Sequence, residues 1–336
     1  MKSVFKNKRH APEEYVEGIL NGERVMLGKA ITLVESRLDS DNQLAEAVLE
    51  KLLPHTGKSI RIGITGVPGA GKSTLIESFG GYLTASNKKV AVLTIDPSSQ
   101  KTKGSILGDK TRMESLANDP RAFVRPSASG ATLGGVHSRT RETILLCEAA
   151  GFDVIIVETV GVGQSEISVK GIVDFFLLIM LSGAGDELQG IKRGIMEMAD
   201  LIAINKADGD NIKRSEMAMR QYENALHMFP PNDNNWYPKV ITCSAINNDG
   251  IKEIWEIICN YEAKMKETNF FSINRQQQNL QWMHDAIKDQ LQNSFYNHGP
   301  VKNTIGHLQQ AVEKEKIPAI VAAKELLNLF FQTLKS

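Results

Sequence analysis

Cysteine is scarce in this sequence: 336 residues carry only Cys147, Cys243 and Cys259, widely spaced and with no C-x-x-C pair. That excludes a disulfide framework and a thiolate zinc site, and leaves three reduced core thiols. Charge imbalance is absent too, because 39 Lys and Arg stand against 39 Asp and Glu. Nothing in the net charge calls for a nucleic-acid or membrane surface. Long hydrophobic runs are missing; the longest, Phe175 to Leu181, is far too short to cross a bilayer. No secretory apolar region follows Met1. The basic start (Lys2, Lys6, Lys8, Arg9) meets Glu13, Glu14 and Glu17 almost at once, unlike an acid-poor transit peptide. There is no internal repeat or low-complexity segment. The expectation is a soluble cytoplasmic protein with neither nucleic acid nor membrane as partner, or a mitochondrial-matrix protein if the source is eukaryotic and a leader has been trimmed.

What is present centres on residues 60–73. Ile60, Ile62 and Ile64 supply the β-branched side chains of a short buried strand, and Gly66-Val67-Pro68-Gly69-Ala70-Gly71-Lys72-Ser73 fits G-x-x-x-x-G-K-[ST]. Glycines let successive backbone N–H groups curl around a β-phosphate, and the following helix, from Thr74 to about Tyr82, adds its positive end. Lys72 reaches the β- and γ-oxygens, and Ser73 offers a hydroxyl to Mg²⁺.

The chain before about His55 reads as helices. Ala11-Pro12-Glu13-Glu14 is a start and Asn21-Gly22 a stop; Val25, Leu27, Ile31, Val34 and Leu38 approximate one apolar face. Leu44, Val48 and Leu52 repeat the pattern after an Asp39-Ser40-Asp41 cap. From Lys58 short apolar strands alternate with helices, the signature of a parallel α/β sheet: after the first come 90–95, 154–157, 175–181, 201–204 and 240–242. Beyond about Lys266 three helical patterns remain, 277–296, 301–313 and 317–334. The last is too apolar to stay in water, and the N-terminal helices or a second copy of the chain are the expected cover. The charged run His137, Arg139 and Arg141 reads as a solvated helix face.

Ligands of open α/β sheets collect at the carboxyl ends of strands. Those ends carry Asp96, Glu158-Thr159-Val160-Gly161, Asn205-Lys206-Ala207-Asp208 and Ser244-Ala245. The second is placed like the D-x-x-G of P-loop GTPases, whose acid holds Mg²⁺ and whose glycine senses the γ-phosphate, with Glu replacing Asp. The third is N-K-x-D. A carboxylate at Asp208 accepts from both N1–H and the exocyclic amine of guanine, whereas adenine offers an acceptor at N1 and no amine at C2. Asn205 and the Lys206 stem would brace the loop and lie on the base plane, and Ser244-Ala245 would add a backbone N–H to the guanine oxygen.

With Asp96-Pro97-Ser98-Ser99, the run 104–113 (GSILGDKTRM), the run 158–166 (ETVGVGQSE) and the run 185–192 (GDELQGIK), the sequence resembles the MeaB/ArgK family over essentially its whole length. These are GTPase chaperones of adenosylcobalamin-dependent methylmalonyl-CoA mutase. The resemblance implies an α/β fold with a P-loop GTPase domain and a mostly parallel central sheet over 57–266. An N-terminal helical extension (1–56) and a C-terminal helical dimerisation arm (267–336) would flank it. It implies GTP or GDP with Mg²⁺, a homodimer, and as partner methylmalonyl-CoA mutase or a related acyl-CoA mutase. Lys72, Asp96, Asp109 and Glu158 would be the catalytic set, with Ser73, Asp96, Asp109 and Glu158 near the metal. The nucleotide would lie against Gly66, Pro68, Gly69, Ala70, Gly71, Lys72, Ser73, Thr74, Gly161, Asn205, Lys206, Asp208, Ser244 and Ala245. Asp186, Gln189 and Lys192 fall in a switch loop facing the mutase.

Val162 stands where many GTPases carry the glutamine that orients the attacking water, and Gln164 lies two residues on, so slow intrinsic hydrolysis is expected. Two other functions compete. Nickel delivery to hydrogenase or urease calls for His-rich or Cys/His segments, which the seven scattered histidines do not form. A small-molecule kinase shares the phosphate loop, yet nothing reads as an acceptor site with its own general base.

Overall fold

The computed structural model describes residues 9–36, 38–95, 113–126, 133–159, 169–183, 193–230 and 234–333. Its strands are β1 (Ile60–Gly66), β2 (Val90–Ile95), β3 (Ala122–Pro126), β4 (Val154–Thr159), β5 (Phe175–Leu181), β6 (Leu201–Asn205) and β7 (Lys239–Thr242). They form one parallel seven-stranded sheet in the order β3-β2-β4-β1-β5-β6-β7. A parallel sheet is covered on both faces, so its strands are apolar throughout rather than alternating; β2 and β4 are buried at all six positions.

The helices are α1 (Pro12–Leu20), α2 (Arg24–Val34), α3 (Asp39–Leu52), α4 (Lys72–Ala85), α5 (Glu114–Asn118), α6 (Leu133–Ala149), α7 (Arg193–Met198), α8 (Ile212–Leu226), α9 (Ile251–Glu267), α10 (Phe270–Asn297), α11 (Gly299–Glu313) and α12 (Ala319–Thr333). On one face of the sheet Phe79 and Leu83 of α4, with Ile254 and Ile258 of α9, pack on Ile62, Ile64, Val92 and Ile156. On the other, Ile19, Leu27, Ile31, Val48 and Leu52 of α1 to α3 share a core with Ala91, Leu93, Ile155 and Val157. The N-terminal helices therefore form part of a layer on the sheet.

Several local expectations change. The buried face of α2 is Met26, Leu27, Ala30, Ile31, Leu33 and Val34, while Val25 and Leu38 are 68% and 61% exposed. Asp39 to Asp41 do not cap α3 from outside: Leu38 is the N-cap residue, and buried Asp41 takes a bidentate pair from Arg9 at 2.8 and 2.5 Å. Arg139 is no solvated charge, since its guanidinium donates to the Glu35 carbonyl at the end of α2. Strand β3 was not among the expected strands; it lies at the sheet edge and pairs with β2 alone.

Two compact units are present, Met1–Gln278 and Asn279–Ser336. In the second, α12 lies against α11. It packs Ala322, Leu326 and Phe330 on Val301 and Leu308 of α11.

The strand order places the site. β1 lies between β4 and β5, where the order turns from one half of the sheet to the other, and this is where open α/β sheets bind ligands. β1 and β5 approach closely at that end: a Cβ on Gly66 would lie 2.2 Å from the Ile179 carbonyl oxygen, so no other residue fits.

Candidate nucleotide site

The carboxyl ends of β1, β4, β6 and β7 converge on the start of α4. Gly71 is the N-cap of α4 with φ 83°, and Gly69 has φ 79°, both in the left-handed region that glycine enters without strain. Pro68, Gly69 and Thr74 are exposed at the mouth of the loop, and Ala70 is fully buried beneath it. The Lys72 ammonium lies across the loop, donating to the carbonyls of Gly66 at 3.0 Å and Val67 at 3.4 Å. Ser73 donates its hydroxyl to Glu158 Oε1 at 3.2 Å, so the two residues expected near a cation meet across β1 and β4. Glu158 is buried, at 8% exposure.

Asn205 joins the two halves of the site. Buried at the end of β6, it donates Nδ2–H to the Ala70 carbonyl at 2.8 Å, and its Oδ1 accepts the Ala245 N–H at 3.2 Å. One amide thus ties the phosphate loop to the loop after β7. The absence of a side chain at Gly71 makes room for it, because a Cβ there would lie 2.7 Å from Asn205 Nδ2. Lys206 follows with φ 63°. Its carbonyl accepts from Asn211 Nδ2 at 2.6 Å, and the Ala207 N–H donates to the Cys243 carbonyl at 2.9 Å. Half-buried Asp208 is oriented by Ser244, whose hydroxyl donates to Oδ2 at 2.6 Å. Ser244 itself is fully buried and accepts the Asn247 N–H at 3.3 Å.

Lys72, Ser73, Glu158, Asn205, Lys206, Asp208, Ser244 and Ala245 are thus brought together. Asp96, Asp109, Gly161, Asp186, Gln189 and Lys192 lie outside the described residues. Sequence reasoning missed Ser78, which donates to the Ala245 carbonyl at 2.6 Å, and Asn211, which also accepts from Ser182 at 2.6 Å at the end of β5. Neither stands in a motif; each acts through partners remote in sequence.

Of the thiols, Cys243 lies at the site, donating to Asn205 Oδ1 at 3.7 Å. Burial pushes Cys147 well above the usual thiol range, pushes Cys243 up to about 12, and raises Cys259 as well. They stay protonated and inert.

The geometry suits a hard divalent cation. Ser73 and Glu158 present oxygen donors 3.2 Å apart, close to the ~3 Å edge of an Mg²⁺ octahedron with bonds of about 2.1 Å. Mg²⁺ takes few protein oxygens and is otherwise completed by phosphate oxygens and water.

A family model described as methylmalonyl Co-A mutase-associated GTPase MeaB matches residues 27–299. The chain belongs to the MeaB family. Like GTPase ArgK of Escherichia coli, to which it is 47% identical over 84% of this chain and 86% of that protein, it is a GTPase that takes guanine nucleotide. It is also 42% identical to the mitochondrial methylmalonic aciduria type A homolog of Mus musculus, over 93% of this chain and 78% of that one. Among solved structures, one named LAO/AO transport system kinase superposes with a TM-score of 0.75 at 37% identity, covering 97% of this chain and 99% of that one. The MeaB family and the parallel P-loop fold are thus those the motifs pointed to.

Proposed function

We propose that this MeaB-family protein is a slow GTPase whose nucleotide cycle gates cofactor loading into, and protects, an adenosylcobalamin-dependent acyl-CoA mutase of the methylmalonyl-CoA mutase type. The observation that carries the reading is the Asn205 brace. It fixes the base loop and the phosphate loop as one rigid receptor, so guanine at Asp208 and phosphate at Lys72 are sensed together. The family description names a mutase, and the murine relative's name places that protein in methylmalonic aciduria.

In this cycle Lys72 exchanges its two loop carbonyls for β- and γ-phosphate oxygens. The loop N–H groups cradle the β-phosphate, and Asp208, held by Ser244, pairs with the guanine edge. Ser73 and Glu158, with Asp96 and Asp109, would hold Mg²⁺, which when bound neutralises charge developing on the β,γ-bridge. With Val162 in the water-orienting place, the chain alone positions the nucleophile poorly, and a partner completes the site. GTP turnover by the protein alone is expected no faster than about one per minute, rising at least about tenfold with the mutase. A fast basal rate unchanged by mutase contradicts the reading.

Segments 1–56, 57–266 and 267–336 serve in this proposal as extension, GTPase domain and dimerisation arm. Leu280, Met283, Ile287 and Leu291 recur at helical spacing on α10 and are 48–60% exposed, as Ile320 and Phe331 of α12 are at 66% and 54%. A second copy of the chain is the proposed cover. Sedimentation at micromolar concentration is expected to give a dimer; a monomer there removes the arm's role.

The proposed home is the cytoplasm, and no helix among the described residues is long and apolar enough to cross a membrane. The kinase name of the solved relative makes phosphoryl transfer the second reading. Label from γ-labelled GTP is expected in free phosphate; label in a metabolite or protein acceptor favours the kinase.

A further inference from the structure

The backbone ladder between β1 and β4 runs from Ile60↔Val154 to Ile64↔Glu158 and stops there. The next pair, Thr65 and Thr159, is not in that ladder, and β1 ends one residue later at Gly66. On its other side β4 is still laddered to β2, through Thr94↔Glu158 and Ile95↔Thr159. On the β1 side the next rung is made by side chains. Thr159 donates its hydroxyl to Thr65 Oγ1 at 2.7 Å, with both residues buried, at 0% and 1% exposure. A hydroxyl pair in a core otherwise lined by Val157, Ile155 and Leu93 is held tightly, because losing one partner leaves the other unsatisfied.

We propose that the Thr159–Thr65 bond is the positioning element that keeps Glu158 within cation distance of Ser73. The inference rests on reading Glu158 as the Mg²⁺ acid. Neither threonine touches nucleotide in this scheme. Side chains alternate along a strand, so Thr159 faces away from the phosphate side that Glu158 faces. The bond acts by preventing the ends of β1 and β4 from splaying. Without it the 3.2 Å separation of Ser73 Oγ and Glu158 Oε1 lengthens, while the loop N–H groups and Lys72 keep their grip on the β-phosphate.

The test compares GDP affinity with Mg²⁺ and with EDTA, by calorimetry on the full chain. The ratio of the two affinities reports cation coupling. The double variant Thr65→Val/Thr159→Val removes both polar partners at constant shape, which is nearly neutral for folding. Its GDP affinity in EDTA is expected within about twofold of the parent, while its Mg²⁺ ratio falls about tenfold. Thr159→Ser keeps the hydroxyl and is expected to keep the ratio. Single Thr159→Val gives a second reading if the double variant does not fold. A parental ratio in the valine variants overturns the proposal. Glu158→Gln separates the two claims. If it collapses the ratio and the valine variants do not, only the threonine role fails; if it leaves the ratio intact, the reading of Glu158 fails with it.

Discussion

Replacing Asp208 with alanine is expected to weaken GDP binding at least about a hundredfold without disturbing the fold. The carboxylate stands to accept two hydrogen bonds from guanine, and charge-assisted bonds are each worth about 1.5–3 kcal/mol. In the structure its one described side-chain partner is the Ser244 hydroxyl, so little structure depends on it. Asn205, by contrast, holds two loops, and its loss would confuse binding with local collapse. Asp208→Asn offers a sharper form of the same prediction. An amide donates where the carboxylate accepts, and xanthine carries a carbonyl at C2 in place of guanine's amine. Binding is expected to shift from GDP towards xanthosine diphosphate, read by competition calorimetry. Unchanged GDP affinity in Asp208→Ala contradicts the assignment of the base loop.

The second large effect lies at the opposite end of the sheet. Arg275 of α10 donates to Asp174 at 2.8 and 2.7 Å and to the carbonyls of Gly57 and Ser59 at 2.8 and 2.6 Å. Beside it Arg61 pairs with Glu148 at 2.9 and 3.1 Å. Asp174 and Glu148 have side-chain exposures of 1% and 0%. Two cations and two anions balance, and every bond crosses between distant parts of the chain. Arg275→Ala strips Asp174 of its guanidinium and leaves a buried carboxylate, a change that costs roughly 3–5 kcal/mol. Arg275→Lys is expected to recover only part of this, because an ammonium cannot reproduce the planar fork that serves Asp174 and two carbonyls at once. Urea denaturation measures the loss. Near-parental stability in Arg275→Ala would show that water replaces the arginine at this edge.

Most of the sheet was legible because parallel strands buried on both faces are written as unbroken apolar runs: β2 and β5 fall where 90–95 and 175–181 stand in the sequence. Strand β3 was not, for a physical reason. Paired on one side only, it tolerates Arg125 and ends in Pro126, whose missing N–H costs nothing at an edge. On α2 the expected Leu27, Ile31 and Val34 are buried, but Met26, Ala30 and Leu33 complete the face and Val25 points to solvent. Asp41 resembles a cap in sequence but is ordered by Arg9, 32 residues away.

The candidate site divides in the same manner. Residues proposed to meet nucleotide lie in short motifs because their spacing is set by a turn, so Lys72, Ser73, Asn205 and Asp208 stood out. Residues that hold those in place do not. Ser78 reaches Ala245 across 167 residues, and Thr159 reaches Thr65 across 94. Only the fold makes such pairs neighbours, and a sequence of one chain carries no local mark of them.

The most direct measurement is calorimetric titration of GDP, GTP and ATP into the purified wild-type chain with Mg²⁺. A site in which Ser244 fixes Asp208 and Asn205 locks the base loop to the phosphate loop predicts that GDP and GTP bind at least about a hundredfold more tightly than ATP, since adenine leaves the carboxylate unpaired. Equal binding of ATP would contradict guanine recognition at Asp208 and, with it, the GTP-driven cycle.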